Sequence, residues 1–238
     1  MIFDSLFSGI GGLDLGLHRA GWSVRRCCEI ESYPRKVLAR HWPEASLEQD
    51  VRSFKGTTVD AIVGGFPCQN LSPANVSTRS GLLGEKSGLW YEYLRIVGEA
   101  TPEWVVVENS GAAWRDWVPA VRGNLFRLGY SSVCLLLRAC DFGAPFQGTR
   151  AFVVAASYSH GESTSAVNEK TSELCRLAGP SRQDWGSPSP RALGVADGSS
   201  RRVDARLRAA GNAVVPAMAE FVGRAINLVD DGARHANY

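Results

Sequence analysis

The sequence predicts an α/β fold in which helices cover both faces of a mostly parallel β-sheet. Three observations support this prediction. Short apolar or β-branched runs alternate with longer amphipathic stretches over residues 1–156, a Gly-rich turn follows the first run, and 45% of the 238 residues are hydrophobic. Strands that alternate with helices pair in parallel, and ligands of such folds bind at the carboxyl ends of the strands.

The first predicted elements are separated by glycines and prolines. Residues 1–7 are an apolar run that predicts a strand, and the Gly-rich turn after it opens a helix that extends to Ala20. A second strand is expected over 22–29 and a helix over 33–41. The run 59–64 predicts a third strand, because it is β-branched and apolar and is bounded by glycine and proline.

The same alternation continues in the middle of the chain. Residues 89–100 have the apolar spacing of an amphipathic helix, and 104–107 are a short apolar run typical of a buried strand. A helix is expected over 118–128, followed by strands over 131–137 and 152–156. These strands complete the predicted sheet.

The composition of the chain changes after residue 156. Between Gly179 and Ser200, 12 of 22 residues are Gly, Pro or Ser, so little regular structure is expected there. Residues 176–208 carry seven arginines against three acids, which suits either a solvated insertion or a phosphate-contacting segment. Beyond it, residues 216–228 predict a helix with proline at its start.

Composition also limits the class of protein. The net charge of +2 is too small to indicate nucleic-acid binding by itself. An acid, Asp4, lies where the basic region of a signal peptide would be, and the apolar runs are too short to span a membrane, so a cytoplasmic protein is expected. The six cysteines form no CxxC pair and the four histidines are scattered, so no metal is expected.

The Gly-rich turn, residues 7–12, predicts a ligand site. Glycines let the backbone approach a ligand, and the N-terminus of the following helix favours a carboxylate or phosphate. Glu29 ends the second predicted strand, where an acid accepts hydrogen bonds from ribose hydroxyls, and Asp50 is placed to meet an adenine amino group. The spacing fits a dinucleotide or S-adenosylmethionine equally well, and the turn taken alone also fits a simple strand-to-helix connection.

Two further motifs follow strand ends. Cys68 comes after Gly65-Phe66-Pro67, directly beyond the strand 59–64, and Gln69 and Asn70 follow it. Most cysteines are small buried fillers, but a thiol in this setting is the strongest nucleophile of the sequence. Glu108-Asn109-Ser110 follows the strand 104–107, so Glu108 is either a solvated carboxylate or an acid that contacts a bound base.

Taken together, these motifs resemble the DNA cytosine-C5 methyltransferase family, most closely its compact phage and prophage versions. The resemblance covers about residues 1–156 and 206–228, and it rests on the Gly-rich turn, Pro67-Cys68-Gln69, Glu108-Asn109, Arg150 and Gly211 to Pro216. It implies a Rossmann-like S-adenosylmethionine-dependent methyltransferase fold with a mostly parallel sheet and a reduced target-recognition region.

The resemblance also implies a covalent mechanism. The Cys68 thiolate would attack C6 of a flipped-out cytosine, Glu108 would hold N3, and Arg150 would contact O2. The implied contacts to S-adenosylmethionine are made by Phe7, Ser8, Gly9, Gly11, Gly12, Glu29, Ile30, Asp50, Val51, Gly65, Pro67, Asn212 and Ala213. The implied contacts to double-stranded DNA are made by Gln69, Ser72, Arg79 and Lys86, from a loop that matches the mobile catalytic loop of the family.

Three features depart from the family pattern. Ser5 replaces a frequent aspartate of the first motif, and Gly148 replaces the first of two alternating arginines, which removes an expected phosphate contact. Residues 157–205 are short for a target-recognition domain and interrupt a catalytic domain of 1–156 and 206–238. We therefore expect a monomer that reads a short or relaxed DNA sequence, or one that needs a partner chain for recognition.

Alternative functions remain compatible with the motifs. Cysteine attack at C6 is shared by enzymes that methylate pyrimidine C5 in RNA or in a free nucleotide. A degenerate homologue that only binds DNA or cofactor would also retain the fold, although Cys68, Glu108, Arg150 and Asn212 are all intact. Transfer of a group other than methyl from a modified donor is a further alternative.

Overall fold

The fold is a single β-sheet with helices on both sides. The computed structural model describes residues 1–67, 88–158 and 213–236, and side chains as far as residue 231. Within these residues, seven strands form one sheet in the order β3-β2-β1-β4-β5-β7-β6. The strands are β1 Ile2–Leu6, β2 Ser23–Cys28, β3 Ser46–Glu48, β4 Ala61–Gly64, β5 Trp104–Ser110, β6 Tyr130–Leu137 and β7 Arg150–Ser157.

The direction of the strands confirms a mostly parallel sheet. β1, β2, β3, β4 and β5 run parallel to one another, whereas β7 runs antiparallel to both β5 and β6. The reversed strand is not evident from the sequence, because it depends on how β7 pairs with β5, which lies about 40 residues earlier in the chain.

Five described helices complete the fold, and four of them divide between the two faces of the sheet. They are α1 Gly12–Arg19, α2 Ser32–His41, α3 Leu89–Ala100, α4 Trp114–Arg127 and α5 Pro216–Ala236. One face buries side chains of α1 and α5, such as Leu17 and Met218, against β1, β4, β5 and β7. The opposite face buries Trp90 of α3 and Trp117 of α4. None of the described helices is both long and apolar enough to cross a membrane.

Several element boundaries differ from those predicted. β3 is an edge strand too short to be recognised in the sequence, and α5 continues past residue 228 to Ala236. α4 begins at Trp114, not at residue 118, and has Pro119 inside it. Proline removes a helical hydrogen bond there, but the helix completely buries Trp117, whose ring lies edge-on to Phe66. Tertiary packing therefore outweighs the cost of the proline.

Helices α1 and α5 approach each other unusually closely at Gly16. A Cβ on Gly16 would overlap the Pro216 carbonyl oxygen and would lie 2.5 Å from the Ala219 Cβ and 2.7 Å from the Glu220 amide nitrogen. Two of these three atoms belong to the backbone of α5, so they cannot move aside by a side-chain rotation. This contact fixes the start of α5 against the helix that follows the Gly-rich turn.

We predict that Gly16→Ala destabilises the protein by about 1–3 kcal/mol, the usual cost of overpacking a core, although alanine favours helix. Gly123→Ala is the matched control, because Gly123 lies inside α4 and a Cβ there meets no atom within 4 Å. This control should gain up to about 1 kcal/mol. Urea unfolding of the three proteins measures both changes, and a Gly16→Ala protein as stable as the control would contradict the close packing.

Candidate active site

The candidate site lies at the carboxyl edge of the sheet, where the order of connections reverses. β1 is flanked by β2 on one side and by β4 on the other. The Gly-rich turn follows β1, and Gly65, Phe66 and Pro67 follow β4. A crevice between such turns is the usual ligand site of an open α/β sheet.

The Gly-rich turn has an unusual backbone. Phe7, Gly9 and Gly11 have φ angles of 54°, 56° and 82°, all in the left-handed region. Glycine adopts such angles freely, but a phenylalanine there costs about 1–3 kcal/mol. The turn is held by hydrogen bonds from the Ser8 amide to the Cys28 carbonyl and from the Gly11 amide to the Ser8 carbonyl, 3.1 and 2.9 Å long.

The start of α1 has no side-chain cap. Gly11 is the N-cap and offers no side-chain hydrogen bond to the first turn of the helix. The amide groups of that turn and the helix dipole therefore favour an anionic group. A Cβ on Gly12 would overlap the Val214 carbonyl oxygen, so the segment before α5 packs directly against the turn.

Two acids of the predicted cofactor site, Glu29 and Asp50, follow the ends of β2 and β3. The Glu29 carboxylate accepts hydrogen bonds from the amides of Gly9 and Glu31, each 2.8 Å long, which ties the turn to the end of β2. Each of its oxygens retains a lone pair for another donor. Asp50 accepts hydrogen bonds from the Arg52 amide and side chain, which lower its pKa and keep it ionised as an acceptor. Beside these acids, Ile30 is exposed and Val51 is buried.

A buried carboxyl also lies beneath the turn. Asp14 of α1 is completely buried, and the Cys27 thiol lies 3.8 Å from its Oδ1. Burial raises the pKa of Asp14 to about 6, and the neighbouring Ser5 and Cys27 oppose this rise. Ser5 is the position at which the sequence lacks the expected aspartate, and a carboxyl from α1 occupies its surroundings.

Glu108 and Arg150 meet because β5 pairs with β7. In the antiparallel register, Glu108 lies opposite Phe152 and Ser110 lies opposite Arg150, so Glu108 and Arg150 are diagonal neighbours on one face. Arg150 Nη1 lies 3.4 Å from Glu108 Oε1. The prediction placed Glu108 beyond the end of a strand, which is wrong: pairing with β7 extends β5 to Ser110.

The environment of Glu108 favours a protonated carboxyl. Only 6% of the residue is exposed, and its Oε1 accepts no hydrogen bond from the described part of the chain. Burial raises the pKa of Glu108 to about 7, although the charge of Arg150 opposes this rise. At neutral pH this carboxyl can therefore accept or donate a proton.

Gly65 creates the space that Glu108 occupies. A Cβ on Gly65 would lie 2.6 Å from Glu108 Oε2 and 3.1 Å from the Glu108 carbonyl oxygen. Any larger residue would displace the carboxyl. The glycine after β4 therefore serves the shape of the acid site, in addition to the cofactor contact implied by the sequence.

Asn109 has a positioning role that the sequence analysis missed. Its Nδ2 donates a 2.8 Å hydrogen bond to the Phe66 carbonyl, and its Oδ1 accepts a 2.7 Å hydrogen bond from the Ser110 amide. Asn109 is buried on the face of the sheet opposite to Glu108. It therefore fixes the backbone just before Pro67 and Cys68, the position of the predicted nucleophile.

The segment before α5 joins the two halves of the site. Arg150 Nη2 lies 3.4 Å from the Ala213 carbonyl oxygen, and the next residue, Val214, packs against Gly12. The predicted cofactor residue Ala213 therefore contacts the predicted catalytic arginine.

Other predicted site residues lie outside the described residues, namely Cys68, Gln69, Ser72, Arg79, Lys86 and Asn212. The same holds for the segment 159–205 of the predicted insertion. In the residues that are described, no group of three His, Cys, Asp or Glu side chains is arranged to hold a metal ion.

Comparison with known sequences identifies related proteins. A family model described as C-5 cytosine-specific DNA methylase matches residues 1–179. The type II methyltransferase M2.BsuMI of Bacillus subtilis is 30% identical over 163 residues, which are 65% of this chain and 41% of that protein. The type II methyltransferase M.AquIA of Picosynechococcus is 30% identical over 174 residues, 63% of this chain and 69% of that protein. The chain thus spans less than half the length of M2.BsuMI.

Solved structures show the same fold. A prophage-encoded Escherichia coli protein described as a DNA modification methyltransferase superposes with a TM-score of 0.58 and 27% identity, over 70% of this chain and 50% of that chain. The Dnmt2 methyltransferase of S. pombe gives a TM-score of 0.57 and 18% identity, over 71% of this chain and 55% of that chain.

We predict that the free energy of unfolding of Glu108→Gln increases relative to that of the unchanged chain as the pH rises. The raised pKa of about 7, against 4.5 for an ordinary glutamate, means that the folded chain binds a proton that the unfolded chain releases. The unchanged protein therefore loses about 3 kcal/mol of stability between about pH 4 and pH 8 from this group, and the variant does not. Urea unfolding of both proteins across this range measures the difference.

Glu99→Gln is the control, because its stability relative to the unchanged chain should change with pH in the opposite direction. Hydrogen bonds from the Arg95 side chain and then from the Gly56 amide lower the pKa of Glu99. Its stabilising effect is present at neutral pH and is lost in acid, so Glu99→Gln should become the less stable protein as the pH rises. A Glu108→Gln protein that follows the same trend as Glu99→Gln would contradict the buried, protonated carboxyl.

Proposed function

Because the chain belongs to the family of C-5 cytosine-specific DNA methylases, we propose that it transfers a methyl group from S-adenosylmethionine to C5 of cytosine in DNA. The single observation that carries this proposal is the carboxyl of Glu108. It is buried, has a pKa of about 7, and pairs with Arg150 beside the segment that leads into Cys68.

The described residues around the Gly-rich turn fit S-adenosylmethionine. The uncapped start of α1 suits the carboxylate of its methionine part, and Glu29 has lone pairs left for ribose hydroxyls. Asp50 retains an ionised carboxylate for an adenine amine, and the half-buried ring of Phe7 borders the same turn. When bound, S-adenosylmethionine would supply an electrophilic methyl group, and cleavage of its methyl–sulfur bond would leave S-adenosylhomocysteine.

The proposed chemistry starts at Cys68. C5 of cytosine is a poor nucleophile because the ring is aromatic. Addition of the Cys68 thiolate to C6 forms a carbon–sulfur bond and moves electron density to C5, where the new carbon–carbon bond forms. Loss of the C5 proton and release of the thiolate then restore the aromatic base. Asn109 supports this step by fixing the Phe66 carbonyl, two residues before the thiol.

Glu108 and Arg150 stabilise the ring during this addition. Negative charge develops on N3 and O2 when sulfur adds to C6. A protonated Glu108 donates a hydrogen bond to N3, and the Arg150 guanidinium lies close enough to Glu108 to contact O2 of the same base. Preorganised donors in a buried site need no rearrangement as the charge develops, which is why burial of Glu108 favours the reaction.

Glu108 is reached only by a base that leaves the double helix. Glu108 as a residue is 6% exposed, and C6 of a stacked cytosine is inaccessible to a thiol. We therefore propose base flipping, with Gln69, Ser72, Arg79 and Lys86 as the contacts to DNA. For recognition, we propose that residues 157–205 read a short or relaxed sequence, or that a partner chain contributes.

We predict that the purified chain converts deoxycytidine to 5-methyldeoxycytidine when it is incubated with S-adenosylmethionine and mixed-sequence duplex DNA. Nucleoside mass spectrometry after hydrolysis measures the product. Cys68→Ala should abolish it because no carbon–sulfur bond can form, and Glu108→Gln should reduce the rate by about 10²-fold or more, the usual effect of losing a positioned acid.

RNA and free deoxycytidine monophosphate serve as parallel substrates. Methylation of either of these in place of DNA would show that the substrate is RNA or a free nucleotide. Absence of product from all three would leave a chain that binds without catalysing, and equal product from Cys68→Ala and the unchanged protein would exclude the covalent step.

A further inference from the structure

The loop between β6 and β7 presents an aromatic side chain beside the candidate site. β6 ends at Leu137 and β7 begins at Arg150, so the loop lies at the carboxyl edge of the sheet with Glu108. Hydrogen bonds from the Ala139 amide to the Gln147 carbonyl and from the Gly111 amide to the Thr149 carbonyl, 2.7 and 3.0 Å long, hold it in place. These hydrogen bonds fix both ends of the loop at the edge of the sheet that holds Glu108.

Phe146 is the large apolar residue that this loop exposes. It is 55% exposed, whereas Ala144, two residues earlier, is buried. Single exposed apolar residues are common on protein surfaces, so exposure alone indicates nothing. What distinguishes Phe146 is that its ring packs against Gly148, two residues before Arg150.

The absence of a side chain at Gly148 leaves room for the Phe146 ring. Two carbons of the Phe146 ring lie 2.6 and 2.8 Å from the position of a Cβ on Gly148, and the Ala139 Cβ lies 3.1 Å from it. Gly148 also has a φ of +40°, in the left-handed region that disfavours other residues. The ring thus occupies the volume in which a side chain at position 148 would begin. Gly148 is two residues from Arg150, at most about 7 Å along the chain.

The remaining exposed aromatic residues near a β-strand terminus behave differently. Phe126 and Tyr158 are 65% and 55% exposed, but their rings contact each other edge-on with centroids 6.2 Å apart. They lie at the opposite end of β6 and β7 from the candidate site. Phe146, in contrast, lies in the loop that leads directly into Arg150.

We propose that Phe146 stacks on a nucleobase of the DNA that loses its stacking partner when the target cytosine leaves the helix. This inference rests on the proposed function. Extrusion of a base exposes the π-face of its neighbour, and aromatic side chains of proteins commonly stack on such a face. Gly148 lacks the charge expected at its position, so this loop binds DNA by stacking and not by a phosphate contact at residue 148.

The expected effects separate stacking from charge and from folding. Base–aromatic stacking is large enough that Phe146→Ala should weaken binding about tenfold or more, and Phe146→Leu should lose most of the same affinity. Phe146→Tyr is the matched control, because it keeps the ring and should bind within about twofold of the unchanged chain. None of these changes removes a charge, so the dependence of affinity on salt should not change.

The binding experiment uses two fluorescein-labelled duplexes of mixed sequence. One is fully paired, and the other carries a single cytosine opposite an abasic site, where extrusion of the base costs little. Fluorescence anisotropy at several salt concentrations gives the Kd of each protein. The loss in Phe146→Ala should be larger on the abasic-site duplex. Gly148→Arg should displace the ring and also make the salt dependence steeper by about one charge.

Thermal unfolding and methyl transfer are measured on the same proteins. Equal Kd values for Phe146→Ala and the unchanged chain would overturn the inference, as would rescue by leucine or failure of the unchanged chain to bind either duplex. A fall in Tm that accounts for the lost binding would also overturn it. Loss of binding in Phe146→Ala without any 5-methyldeoxycytidine from the unchanged chain would support stacking and reject the proposed function, so the two failures are distinct.

Discussion

The antiparallel pairing of β5 with β7 is the constraint on which the site depends. It extends β5 through Glu108 to Ser110 and brings Arg150, the first residue of β7, diagonally across from Glu108. The same pairing anchors the loop that carries Phe146. In an entirely parallel sheet, the amino end of β7 would lie at the opposite edge, so Arg150 would be a strand length away from the acid. The reversed strand β7 thus positions Arg150, and it also positions the preceding loop with the exposed ring of Phe146.

The site lowers the stability of the fold. The buried carboxyl of Glu108 forms an ion pair with Arg150, and Phe7 adopts a strained backbone conformation. Gly65 lacks a side chain at the place where Glu108 lies. Helices α1 and α5, by contrast, pack closely against each other at Gly16. Two of these three features concern Glu108, the acid that we propose donates a hydrogen bond to N3 of cytosine.

Sequence patterns predicted the alternating elements, the Gly-rich turn and the acids that border it, because each of these depends on residues close together in the chain. They did not predict the reversed strand, the bond from Asn109 to the Phe66 carbonyl, or the buried Asp14 beside Ser5, because these depend on which distant segments pair. The motif that carries Glu108 was assigned beyond a strand for the same reason: only β7 makes it part of β5. Cys68 remains a prediction, since it lies outside the described residues.

The most direct test of this account is the titration of the Glu108 carboxyl. Glutamate side chains labelled with ¹³C at the carboxyl carbon are followed by NMR as a function of pH in the intact chain, and the Glu108→Gln protein identifies the signal. Burial beside a single partly exposed cation predicts a midpoint of about 7. A midpoint at or below the ordinary value of 4.5 would show that Arg150 outweighs burial, and Glu108 would then be an anion that cannot donate to N3 of the base.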